Sequence, residues 1–295
     1  MTATAVSAGA EEFKGRSLWA DAGRRLLRNR AAVGSAILLA GIALAAAVAP
    51  YLSPHPYDEV YWDLISAPPD VMSAHFFGTD QNGRDLFVRT LYGGRTSLTI
   101  GILATLVSLA IGVVWGAAAG FLGGRVDAVM MRTVDVLYAL PFLFFVILLT
   151  VVFGRNILLI YVGVGAVSWL DMARIVRGQA ISLKRKEFVE AAVAGGVSAF
   201  NIVRRHIIPN TLGPVVVYIT LTVPHVILTE SFISFLGLGV QEPDTSWGVL
   251  ISEGARSMET AWWALLFPAV FLAATLFCFN FIGDGLRDAL DPKDR

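Results

Sequence analysis

The sequence predicts an all-α integral membrane protein with six transmembrane helices. Three observations predict it. The chain is 56% apolar with a mean hydropathy of +0.66, and only 16% of its 295 residues are charged, whereas a soluble domain carries about a quarter charged residues. Several apolar runs approach or exceed the ~20 residues that cross a bilayer as a helix. Hydrocarbon offers no partner to an unpaired backbone group, so such runs must be helical. The Lys and Arg residues, finally, are spread unevenly over the segments between the runs, as they are when alternate loops stay in the cytoplasm.

Taken in order, the chain opens on a polar tail, residues 1–30, with six cations, and no cleavable signal peptide is expected there. The first span covers about residues 31–50. A long segment, 51–95, follows; its run "PYLSPHPYDEVYWDL" is aromatic and proline-rich but too polar to span. At its end "RDLFVRTLYGGR" sets Leu86, Phe87, Thr90 and Leu91 near helical spacing, which predicts a short helix lying in the outer interface. Further spans are expected at about 96–120, 134–153, 157–173, 212–236 and 262–284. The fourth is the least apolar and ends at Asp171 and Arg174. Six spans put both termini on one side. Eighteen of the 23 Lys and Arg residues then fall on that side and five on the other, which makes both termini cytoplasmic and puts the loops 51–95 and 237–261 outside. Arg84, Arg89 and Arg95 cluster on the outer side against this trend.

Several chemistries are excluded or unsupported. A phosphate loop needs Gly-Lys-Ser/Thr after a glycine-rich turn, and none of the four lysines follows a glycine. There is no His-Glu-x-x-His, no Cys-x-x-Cys and no Gly-x-Ser-x-Gly nucleophile elbow. No catalytic residue is therefore proposed. His55, His75, His206 and His225 are scattered, so no metal site is expected, and the single Cys278 permits no internal disulfide. The zero net charge gives no sign of a nucleic-acid partner. Charges inside the expected spans are few. Glu230 lies deep in the fifth, five residues after His225, while Asp135 and Asp171 lie near span ends. A charge at such a place faces a helix interface or a water-filled path. For Glu230 two readings stand side by side: a structural hydrogen bond to a neighbouring helix, or a position on a translocation path. No internal repeat of the kind common in secondary carriers is visible.

One polar insert stands out, "KEFVEAAVAGGVSAFNIVRRHIIPN", residues 186–210. It predicts two short cytoplasmic helices joined at glycine. In the first, Phe188, Ala192 and Gly195 share a face, and the small Ala191 and Ala192 let another backbone come close. Gly195 and Gly196 allow a sharp bend. Ser198 is a good N-cap for the second helix, which shows Phe200, Val203 and Ile207 on one face and Arg204 and Arg205 on another. Pro209 is expected to end it. An amphipathic loop on an anionic leaflet would look like this, and so would a docking element for a cytoplasmic protein.

The insert resembles the EAA loop of ABC importer permeases: Glu190, Ala191, Ala192, Gly196 and Pro209 match, while His206 and Ile208 replace the usual Ile and Leu. The ending His206–Asn210 resembles the peptide-importer branch. So do "FGTDQNGRDLFVRTLYGGRTSL", with Gly78, Thr79, Asp80, Gly83, Arg84 and Asp85 of a Gly-Thr-Asp-x-x-Gly-Arg-Asp signature, "ESFISFLGLGVQEPDTSWG" and "GDGLRDALDP". Together these cover nearly the whole chain and look like the second permease subunit of dipeptide and oligopeptide importers. The resemblance implies an ABC type I importer permease core, residues 96–284, with an added N-terminal span within 31–95 and a cytoplasmic tail at 285–295. It implies that the EAA loop, including Arg204, Arg205 and His206, couples the spans to a cytoplasmic ATPase. ATP and Mg would be bound by two partner ATPase subunits, with no cofactor in this chain. A homologous second permease would complete a heterodimer, and an extracytoplasmic peptide-binding protein would deliver substrate at the bacterial inner membrane. Nickel, glutathione or another small solute is the alternative cargo within the family, and a secondary carrier or channel the alternative outside it.

Overall fold

The computed structural model describes residues 18–154 and 157–290. The cations Lys14, Arg16, Arg155, Lys293 and Arg295, counted above, and Pro292 of the last motif lie outside the described residues. The described chain is helical, with no strand beyond two isolated bridges. Helix α1 (Leu18–Arg28) leads into α2 (Arg30–Leu52) through Asn29, whose Oδ1 accepts the amide of Ala32 at 3.2 Å. A long loop with one 3-10 turn (Trp62–Leu64) precedes α3 (Leu86–Leu122). Then come α4 (Gly124–Ala139), α5 (Phe142–Phe153), α6 (Ile157–Lys184), α7 (Glu187–Ala194), α8 (Ala199–Ile202), a π-helical turn (Val203–Ile207), α9 (Ile208–Phe235), α10 (Trp247–Arg256) and α11 (Trp263–Leu290).

Four of the described helices are long and apolar enough to cross a membrane: Arg30–Val48, Leu86–Leu122, Ala199–Phe235 and Trp263–Leu290. They correspond to the first, second, fifth and sixth expected spans. The third differs from the sequence reading. It is two helices, broken at Leu140 and Pro141, because proline cannot donate the intrahelical hydrogen bond and turns the preceding residue to extended backbone (Leu140 ψ 128°). The fourth runs on past Arg174 to Lys184, which puts Asp171 well inside α6.

Two further expectations are corrected. The segment 84–95 is no separate interfacial helix. Asp85 caps α3, its carboxylate accepting the Val88 amide at 2.8 Å, and the helix continues without a break to Leu122. At ~1.5 Å per residue its 37 residues exceed the ~30 Å hydrocarbon core, so α3 runs across the boundary placed at residue 95. Pro209 does not end the second short helix. It occupies the first turn of α9, where a missing N–H costs nothing, and the chain passes from α8 to α9 through the π-turn, in which the Ile208 amide donates to Val203 O.

Helix α3 is the centre of the bundle and packs most extensively on α6, then on α2 and α9. The cause is a stripe of small residues at every fourth position: Ala104, Ser108, Gly112, Gly116, Gly120. A Cβ on Gly112 would sit 2.6 Å from Met172 Cβ, one on Gly120 2.6 Å from Arg177 O, and one on Gly116 would run into Ala173 O. Ser108 Oγ donates to Ser168 O across the seam at 2.8 Å. Such stripes let membrane helices approach until their backbones touch.

Candidate functional site

Three sets of residues singled out in the sequence occupy three places. The first set forms an elbow between α6 and α9. Helix α7 begins with Glu187 and Glu190 in its first turn, favourable at the positive end of a helix dipole. It stops in a Schellman arrangement: the Gly196 amide donates to Val193 O at 3.0 Å and the Val197 amide to Ala192 O at 3.1 Å. Gly196 takes φ +74°, the left-handed conformation that a side chain disfavours. Ser198 caps α8 as expected, accepting the Asn201 amide at 3.5 Å. The buried anchor is Val189 with Ile202 and Ile207, packed on Val113, Ala117 and Phe121 of α3 and Met172 and Val176 of α6. On α7 the expected face carries Phe188 outward, and the expected face Phe200, Val203 and Ile207 is split by the π-turn, with Phe200 exposed and Ile207 buried. Phe188, Val193, Val197 and Phe200 are exposed, Phe200 by 71%. Glu190, Ala191, Gly196, Arg204, Arg205 and Pro209 are exposed beside them, with Ala192 and His206 half-buried. An exposed apolar patch rimmed by charge marks an interaction surface.

The second set ties the long loop to the top of α3. Asp80 Oδ1 accepts the amides of Asn82 (2.8 Å) and Arg84 (2.9 Å), and its Oδ2 accepts Arg84 Nε at 2.8 Å. Asp80 Oδ2 also lies 3.3 Å from Arg89 Nε, and Glu253 Oε2 of α10 lies 3.5 Å from Arg89 Nη2 and 3.8 Å from Arg84 Nη2. Glu242 Oε1 takes Arg84 Nη2 at 3.1 Å. Of the three arginines expected outside against the charge count, Arg84 and Arg89 are buried and paired with carboxylates, and Arg95 is exposed and bonded to Tyr51. Burial pushes the Glu253 carboxyl above the usual range, against the pull of Arg89 and Arg84. Asp85 also binds His75 Nδ1 at 2.7 Å. Thr79 Oγ1 accepts the Ala67 amide at 2.8 Å and donates to Leu64 O. Gly78 and Gly83 both have positive φ and sit against backbone, Gly78 on Ala67 O and Gly83 on Tyr61 O, so no side chain fits. This motif is a brace. Glu242 and Glu253 are its missed members, since their pairing with residues 80–89 leaves no trace in local spacing.

The third set separates. Glu230 is fully buried, accepting Ser234 Oγ at 2.7 Å and Ser97 Oγ of α3 at 3.2 Å; Ser97 Oγ in turn accepts the Trp247 amide of α10 at 3.2 Å. It joins three helices and lines no described cavity. His225 does line one, of about 910 Å³, walled by Tyr138 and Pro141 at the α4–α5 break, Ser168 and Asp171 of α6, and Tyr218 of α9. That volume is within the range of small-molecule sites. The sequence reading set Asp171 near the end of a span expected to stop at residue 173; the helix continues to Lys184 instead and carries Asp171 onto the cavity wall.

Comparison with known proteins matches this architecture to a family. Residues 112–295 match the family described as binding-protein-dependent transport system inner membrane component, and residues 17–69 match the N-terminal TM domain of oligopeptide transport permease C. The chain is 63% identical over 284 residues to the oligopeptide transport system permease protein OppC of Escherichia coli, covering 96% of this chain and 94% of that one. It is 57% identical to the OppC of Haemophilus influenzae, covering 96% and 91%. It is 46% identical to the dipeptide transport system permease protein DppC of Bacillus subtilis, covering 93% and 86%. A buried brace at one end, a small-residue seam within, an elbow at the far end and these relatives lead to one conclusion: the chain belongs to the family of inner membrane components of binding-protein-dependent transport systems, in its oligopeptide permease C branch.

Proposed function

We propose that this chain is the translocation subunit of an ATP-driven importer of di- or oligopeptides, energised through the α7–α8 elbow by separate ATPase subunits that bind ATP and Mg. A homologous permease closes the open side of the cavity beside His225, and an outer binding protein supplies peptide. Both termini and the elbow face the cytoplasm, and the brace around Asp80 faces out. The observation that carries this reading is the elbow. It is anchored by Val189, Ile202 and Ile207 directly on α3 and α6, so force applied to its exposed Phe200 face reaches the two helices of the central seam. The peptide names of relatives at 57% and 63% identity support the cargo. The test is uptake of tri-alanine into proteoliposomes that hold this chain with its partner permease and ATPases. Uptake is expected only with ATP and the binding protein together. Equal uptake without ATP would make the chain a carrier or channel instead.

A further inference from the structure

Two carboxylates lie within long helices of the bundle, Glu230 in α9 and Asp171 in α6, and the structure treats them differently. Glu230 has both oxygens taken by serine hydroxyls and no exposed surface. Asp171 lies mid-helix in α6, is half-buried, opens on the 910 Å³ cavity, and has no hydrogen bond or ion pair to any described residue. The cations nearest to it along α6 are engaged elsewhere. Arg174 donates to Asp135 at 3.0 Å and lies over the Tyr138 ring at 4.4 Å, and Arg177 is held by both oxygens of Asp127 at 2.6 and 2.7 Å. Among the described residues that line the cavity Asp171 is the one acid, and no Lys or Arg is among them. The hydroxyls of Ser168 and Thr222 donate back to their own helix, to Val164 O at 2.8 Å and Tyr218 O at 2.9 Å. An unpaired carboxylate on the wall of such a cavity is tolerated where water or a cationic ligand reaches it.

We propose that Asp171 is a transit subsite for a positively charged amino group of the peptide, receiving it within the cavity as the cargo crosses. The inference rests on the peptide-path reading above. Ammonium and carboxylate make a charge-assisted hydrogen bond, about twice as strong as a neutral one, and a peptide can offer its α-amine or a lysine side chain. The remaining described wall is mostly apolar, with Leu137, Leu221, Leu228 and Phe232, and its other polar rings are Tyr138, Tyr218 and His225.

The test uses the assembled transporter in proteoliposomes with three peptides, each shown to load the same binding protein: tri-alanine, N-acetyl-tri-alanine and N-acetyl-Ala-Lys-Ala. Uptake is read as the ratio of variant to wild type, so selection by the binding protein cancels. Asp171→Asn is expected to lower tri-alanine uptake about ten-fold while leaving N-acetyl-tri-alanine within about two-fold, and Asp171→Glu to retain both. Loss with N-acetyl-Ala-Lys-Ala as well extends the subsite to side-chain amines; retention there restricts it to the α-amine. Equal loss with all three peptides, or no loss with any, overturns the proposal. Asp171→Ser repeats the test if the Asn variant does not assemble, and failure of both to assemble also overturns it by making the residue structural. A wild-type complex that takes up no peptide would instead contradict the importer reading itself.

Discussion

With both oxygens of Asp80 engaged by Arg84 and by two backbone amides, and Arg89 held 3.3 Å away, this carboxylate neutralises two guanidinium groups that have almost no exposed surface. Removing one member of a buried ion pair leaves the other charged and unpaired, at a cost of about 3–5 kcal/mol. Asp80→Asn should therefore lower the melting temperature of the purified complex sharply. Glu242→Gln, at a side chain that is 57% exposed, should cost less than about 1 kcal/mol. Equal shifts from the two variants would refute the brace. The same brace buries the arginines at 84 and 89 and pairs them with Asp80 and Glu253, which a count of cations along the sequence does not see. Glu230 was more legible. A carboxylate inside an apolar run must find donors or water, and Ser234, one turn on, is a donor visible in the sequence; Ser97 is visible only in the fold.

Among the elements, the α3–α6 seam sets how closely the two helices lie. Gly116→Leu puts a side chain into Ala173 O, where the neighbour is backbone and cannot rotate away, and should abolish stable assembly. Gly178→Ala, on α6 with nothing within 4 Å of an added Cβ, should be neutral or stabilising by up to ~1 kcal/mol. Thermal unfolding of the two variants in one detergent checks the contrast. The helices themselves were legible wherever length and apolarity agreed, as for α2, α3, α9 and α11. They were less so where a single residue decides. Pro141 splits an apolar run that periodicity alone reads as one span, while Pro209 starts a helix where a break was expected, because the preceding turn widens to the π form. On α7 the choice between Phe188 and Val189 as the buried side chain could not come from spacing. An eight-residue helix with apolar residues on both faces fits either way, and packing on α3 and α6 decided it.

At the level of the whole molecule, the brace at one end and the elbow at the other should lie on opposite sides of the membrane. A cysteine at Asp70, in a chain whose buried native Cys278 is replaced by Ala, should react with a membrane-impermeant thiol reagent in spheroplasts. Labelling only after lysis would invert the topology. The central claim, that energy enters through the elbow, is open to a direct measurement. Phe200→Asp places a charge on the exposed face without touching Val189, Ile202 or Ile207, so the fold should be unaffected. The measurement is ATP-driven tri-alanine uptake by the reconstituted complex, read together with the amount of ATPase subunit that co-purifies with this chain. The account predicts that Phe200→Asp inserts normally, captures much less ATPase and loses about ten-fold or more of its uptake. Wild-type uptake and wild-type ATPase capture in that variant would contradict it.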